Sequence, residues 1–259
     1  MMVMKYANNG NLRQYLNNNF NSFDWKKKLC NLEVIAYGLS RIHNVGLIHH
    51  DFHCGNILSH DYCTSEIPYP QITDLGLCKP VNVKPSQSGD KKIYGTLPYV
   101  APEVLRGKEY TQASDIYGFG IIAYEVCTGL PPYHDIAHDE FLAAKICQGL
   151  RPKSVYKIPQ LILDVINQCW DADPLKRPKA KELDSLFRDF RYNDNPALNE
   201  QIKEADEINK KLPALTATSS TGILSYTTHA QAIYTSRLLE FKNLPEPKND
   251  NDETEYSGN

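Results

Sequence analysis

Residues 113–128 read ASDIYGFGIIAYEVCT, and Ile116, Phe119, Ile121, Ile122, Tyr124 and Val126 leave no polar stripe around a helix. A helix that is apolar on every side must be buried centrally, so the remaining chain has to supply layers that surround it. Gly129 and the Pro131-Pro132 pair end the run. It is too short to span a bilayer and carries Glu125. A chain of 259 residues, 41% apolar and 23% charged, has the length and composition for such a core. The surrounding layers are legible as periodic segments. Over 24–43, Trp25, Leu29, Leu32, Ile35, Leu39 and Ile42 recur at steps of three and four, with Asp24 as N-cap and Gly46 beyond the end. Further helices are expected at 139–148, 160–170 (opened by Pro159), 179–190 and 198–211. Short strands are expected at Leu47-Ile48, Ile57-Leu58 and around Ile72, and Met1–Met4 could close another. The fold class is mainly α (α+β).

The charge balance excludes some functions. A net charge of −3 implies no nucleic-acid field, and Lys26, Lys27 and Lys28 read as a solvated helix face. Seven scattered cysteines without Cys-x-x-Cys fit a reducing compartment, so the expected location is cytoplasmic. No signal peptide is seen at the N-terminus. Residues 79–95 and 213–227 read as loop and linker, 229–241 as a short helix, and the chain from Pro245 as disordered. Ser86 and Ser88 in the first loop are candidate phosphorylation sites.

The chemistry lies in LIHHDFHCGNIL, residues 47–58. Three more fragments follow it in order: Asp74-Leu75-Gly76, Ala101-Pro102-Glu103 and Arg177-Pro178. Together they resemble the eukaryotic protein kinases, whose motifs are His-Arg-Asp with Asn five residues after the Asp, Asp-Phe-Gly, and Ala-Pro-Glu. Thr96 in Gly95-Thr-Leu-Pro-Tyr99, with Asp-Leu-Gly and Tyr117-Gly-Phe-Gly-Ile, is similar to the tyrosine-kinase-like group of serine/threonine kinases.

The resemblance implies transfer of the ATP γ-phosphate to Ser or Thr of a protein substrate. Asp51 would accept the proton of the acceptor hydroxyl. Asn56 and Asp74 would hold Mg2+, a hard cation that takes oxygen ligands. His53 stands where a lysine near the γ-phosphate is usual, and His50 replaces the usual arginine. Met4, Lys5, Tyr6 and Ala7 would form the adenine-facing hinge, with Leu58 beneath the base. Asp115 would brace the catalytic loop, and Glu103 would pair with Arg177. Residues 1–10 would be the end of the small lobe and hinge, 11–191 the large lobe, and 192–259 an extension, partly helical and partly disordered. No Gly-x-Gly-x-x-Gly occurs in the sequence, so the phosphate-covering loop and the lysine of the small lobe have no counterpart, and impaired transfer is expected. A catalytically inactive scaffold that binds a partner protein is the alternative. A zinc-binding loop over 49–63, using His49, His50, His53, Cys54, His60 and Cys63, is a remote one.

Overall fold

The computed structural model describes residues 6–62, 65–81, 92–212 and 226–250. Met4, Lys5, Ser86 and Ser88 lie outside the described residues, as does the strand expected over Met1–Met4. In chain order the helices are α1 (Leu12–Asn19), α2 (Trp25–Asn44), α3 (Pro102–Leu105), α4 (Gln112–Thr128), α5 (Glu140–Cys147), α6 (Gln160–Cys169), α7 (Ala180–Tyr192) and α8 (Pro196–Lys211). The strands are β1 (Leu47–Ile48), β2 (Ile57–Tyr62), β3 (Ser65–Ile72), β4 (Lys79–Pro80), β5 (Ile93–Gly95) and β6 (Arg237–Leu239). They form three separate antiparallel pairs: β1 with β4, β2 with β3, and β5 with β6.

α4 is the buried centre, closed to solvent from Ser114 to Thr128. Its start is fixed by a reciprocal cap: Ser114 N–H donates to Thr111 Oγ1 (3.3 Å), and Thr111 N–H to Ser114 Oγ (2.9 Å). Its end is fixed by Gly129 at φ 71°, where a side chain would be strained. α6 packs on one side of α4 and α2 on another, with α7 outside α2. Each aliphatic side chain removed from water in this way contributes about 1.5–3 kcal/mol. At the start of α2, Asp24 accepts from Lys27 N–H at 2.9 Å.

Glu125 sits in the apolar helix with no exposure. It is matched by Arg13 of α1, whose Nε donates to Glu125 Oε1 at 2.7 Å, and by the Tyr99 hydroxyl. Burial works to lower the Arg13 pKa, but the charges of Glu125 and Tyr99 and the hydrogen bond to Glu125 together outweigh it and leave Arg13 well above its ordinary value. The pair ties α1 to the core.

The C-terminal expectations need correction. Residues 237–239 form a strand on β5 where a helix over 229–241 was expected. Residues 245–250 are ordered: Arg106 binds Glu246, Lys248 N–H donates to Cys147 O (2.9 Å), and Ala172 N–H donates to Asn249 Oδ1 (2.9 Å). Residues 251–259 lie outside the described residues. Among the described residues, no helix is long and apolar enough to cross a membrane.

Candidate active site

The 47–58 segment is held from below by α4. Asp115, almost fully buried, accepts from His49 N–H (2.8 Å) and His43 Nε2 (2.9 Å) on Oδ2, and from His50 N–H (3.2 Å) on Oδ1. His50 adopts φ 73°, a left-handed conformation uncommon for a side chain of this size. The His49 ring reaches Thr73 O at 2.9 Å, so its Nε2 carries the proton and ties this segment to the chain before Asp74. Beside it, Gly118 lets α4 come close. A Cβ there would lie 2.9 Å from Phe52 O.

This bracing sets Asp51. Its carboxylate is buried at 6% exposure. Asn56 Nδ2 donates to Asp51 O (2.9 Å) and approaches Asp51 Oδ2 (3.4 Å). His53 Nδ1 accepts from Gly55 N–H (3.0 Å), so the other ring nitrogen bears the proton and faces Asp51 Oδ2 at 3.5 Å. That is longer than an ordinary N–H···O bond, so the contact is a weak one between the N–H dipole and the carboxylate. Burial pushes the Asp51 pKa up, but His53 and the Ser236 hydroxyl together hold it below the usual carboxylate range. Asp51 is therefore ionised at neutral pH.

The β2–β3 hairpin brings the next two candidates together. Its register pairs Ile57 with Ile72, which places Asn56 and Thr73 at the same end. Thr73 N–H and Oγ1 both donate to Asn56 O, at 2.9 and 3.0 Å. Asp74 follows, exposed and left-handed at φ 59°. Both groups met by the Asn56 amide nitrogen are acceptors, so its amide oxygen faces away from Asp51. An amide oxygen and a carboxylate are the hard donors that Mg2+ takes, and the residues fit that ion. Leu75 and Leu77, just after Asp74, are about half exposed.

On the other side of the hairpin, Ser59 N–H donates to Gly10 O (2.9 Å) and Asn11 bridges to Leu58. Gly10 N–H in turn donates to Ala7 O (3.2 Å). Tyr6 is exposed, Ala7 buried and Leu58 half-buried. Further out, Arg177 donates twice to Glu103, at 2.7 and 2.8 Å. Thr96, whose hydroxyl is buried without a hydrogen bond, lines a cavity of about 10 Å³ together with His50, Asp51 and Tyr110.

The zinc constellation over 49–63 is described only in part. Among the described residues, no three His, Cys, Asp or Glu side chains come together to hold a metal, and Cys63 lies outside them. Burial pushes the Cys54 thiol well above its usual pKa, which disfavours the thiolate that zinc requires. The residue that sequence reasoning missed is Ser236. It is far from Asp51 in the chain and carries no motif.

A family model described as protein tyrosine and serine/threonine kinase matches residues 1–187. The chain is 34% identical over 195 residues to probable serine/threonine-protein kinase roco5 of Dictyostelium discoideum, covering 71% of this chain and 7% of that protein. It is 32% identical over 192 residues to a protein kinase and PP2C-like domain-containing protein of Arabidopsis thaliana, covering 61% and 28%. Dual specificity protein kinase zakA of Dictyostelium discoideum is 31% identical over 195 residues, covering 69% and 24%. The chain thus spans less than a third of each of these relatives.

Proposed function

The chain belongs to the protein tyrosine and serine/threonine kinase family, and on that premise we propose that its site transfers the γ-phosphate of ATP to Ser or Thr hydroxyls of protein substrates, with Asp51 as the proton acceptor. The observation that carries the reading is the Asp51 carboxylate: buried, ionised, and aligned by Asn56 and His53. Phosphoryl transfer depends mostly on positioning and charge stabilisation, so an oriented acceptor for the hydroxyl proton is the protein's main covalent-step contribution.

Asn56 Oδ1 and the Asp74 carboxylate would hold Mg2+, which neutralises phosphate charge when bound. Tyr6 and Ala7 offer backbone groups to the adenine, and Leu58 an apolar surface. Met4 and Lys5, outside the described residues, would belong to the same hinge. His53 stands where a lysine would supply a full charge, which weakens stabilisation of the transferred group. The Ser/Thr preference rests on Thr96 beside Asp51 and on relatives described as serine/threonine kinases. Residues 1–10 would be the end of the small-lobe strand and the hinge, 11–191 the large lobe, and 192–259 an extension, of which residues 226–250 return to the site.

The test is transfer of labelled phosphate from MgATP to a generic protein substrate. Asp51→Asn keeps the shape and removes the acceptor, and the rate should fall on the order of 10²–10⁴-fold. Undiminished transfer by a folded Asp51→Asn protein would overturn the assignment.

A further inference from the structure

The segment 226–250 crosses the front of the site. The Ser236 side chain lies beside the Asp51 carboxylate, near enough to help hold its pKa down. The three residues after it pair antiparallel with β5, with Gly95 opposite Arg237, Tyr94 opposite Leu238 and Ile93 opposite Leu239. Continued by one residue, that register sets Ser236 opposite Thr96. β5 lies in the stretch between Asp-Leu-Gly and Ala-Pro-Glu. The chain is also clamped on both sides of Ser236. Ile233 N–H donates to His138 Nδ1 (3.0 Å), and the Arg237 guanidinium donates to His138 O. Tyr234 lies under the Arg13 guanidinium at 4.2 Å and donates its hydroxyl to Pro132 O (2.9 Å). Leu239 is buried in the main core at 3% exposure.

A segment that only covered apolar surface would have no reason to bring a serine opposite Thr96, which shares a cavity with Asp51. Nor would it need to add a strand to the edge beside it. Strand addition gives affinity through the backbone and selectivity through alternate side chains. We propose that residues 234–239 are a tethered occupant of the protein-substrate groove, with Ser236 in the acceptor position. This rests on Asp51 being the proton acceptor of the proposed kinase reaction. The groove then takes an extended segment with a serine acceptor and an aliphatic anchor three residues later, at the position of Leu239. A substrate in trans binds only after the tail leaves, so its apparent affinity is divided by the fraction of groove left open.

The test is the binding of a fluorescent peptide with the sequence of residues 231–241 to the full chain, read by anisotropy without nucleotide. Leu239→Asp in the chain removes the anchor and should strengthen peptide binding at least tenfold over the unaltered chain. The same Leu-to-Asp change in the peptide should abolish binding. Equal affinity for the two chains, or indifference to the peptide change, overturns the proposal. If Leu239→Asp fails to give a cooperative unfolding transition, Arg237→Ala serves as the releasing variant, and equal affinity there is equally fatal. Hydrogen exchange in the unaltered chain gives a second readout. Amides of Ile93–Gly95 and Arg237–Leu239 should be protected together and lose protection together on release. Because no phosphate is transferred, this outcome is independent of the Asp51→Asn assay, and either reading can fail alone.

Discussion

The contact between Glu103 and Arg177 is a buried ion pair whose energy can be isolated. The two side chains are 5% and 0% exposed, and both guanidinium Nη atoms meet the carboxylate, at 2.7 and 2.8 Å. Arg177 also donates from Nε to Asp171 O (2.8 Å) and from Nη1 to Ala113 O (3.0 Å). Arg177→Met therefore leaves a buried carboxylate unpaired, at a cost of about 3–5 kcal/mol. Glu103→Met leaves a buried cation with only two carbonyls, and the cost is similar. The double substitution removes both charges. What it leaves behind is two backbone carbonyls without a donor, about 1–3 kcal/mol each. The double variant should then be more stable than the sum of the two singles by at least about 2 kcal/mol, a coupling typical of contacting residues. Thermal unfolding followed by the fluorescence of the chain's two tryptophans reads this, at about 2–4 °C per kcal/mol for a chain of this size. Single costs that add to within about 0.5 kcal/mol would mean that the pair is not coupled and that the bidentate geometry does not anchor the lobe.

Three further outcomes follow from the site. Asp115→Asn retains one acceptor oxygen for three donors, so His50 N–H loses its partner, and stability should fall by about 1–3 kcal/mol; an unchanged melting temperature refutes the bracing role. Gly118→Ala should destabilise by about 1–3 kcal/mol despite alanine's higher helix propensity, because its Cβ meets Phe52 O at 2.9 Å; a stabilised variant sinks that reasoning. Burial, then the charge of Lys79, holds the His50 pKa below its usual value. Below about pH 6.5 the unfolded chain takes up a proton that folded His50 still refuses, so stability is lost as pH falls from there and is unaffected above. His138, lowered by burial, adds with the same sign. Between pH 7.5 and 5.5 the melting temperature should fall less in His50→Asn, which tolerates the left-handed backbone, than in the unaltered chain; an equal fall refutes it.

What the sequence made legible is what local spacing encodes. α2 and α4 to α8 appear where apolar period and caps put them, because each buries a face whose pattern is contained within the helix itself. The order of Asp51, Asn56 and Asp74 was readable for the same reason. They sit within 24 residues of one another at the ends of one hairpin, and Asp115 and the Glu103–Arg177 pair lie where the motifs imply. α1 was not readable. LRQYLNNN buries only Leu12 and Leu16 among asparagines that favour turns, and its hold on the core is Arg13 on Glu125, 112 residues away. β3 was legible only around Ile72; its earlier part was hidden by Pro68 and Pro70, which argue against a central strand but are tolerated in a two-stranded pair with free edges. β6 had no local signal at all. Arg237, Leu238 and Leu239 are as compatible with a helix as with a strand, and β5 decides by offering its edge. The same physics hides Ser236: a hydroxyl becomes part of a site only through the partner it meets, and that partner lies 185 residues earlier in the chain. Motifs therefore locate candidate groups for the chemistry, whereas the distant groups that come to lie beside them are set by tertiary pairing.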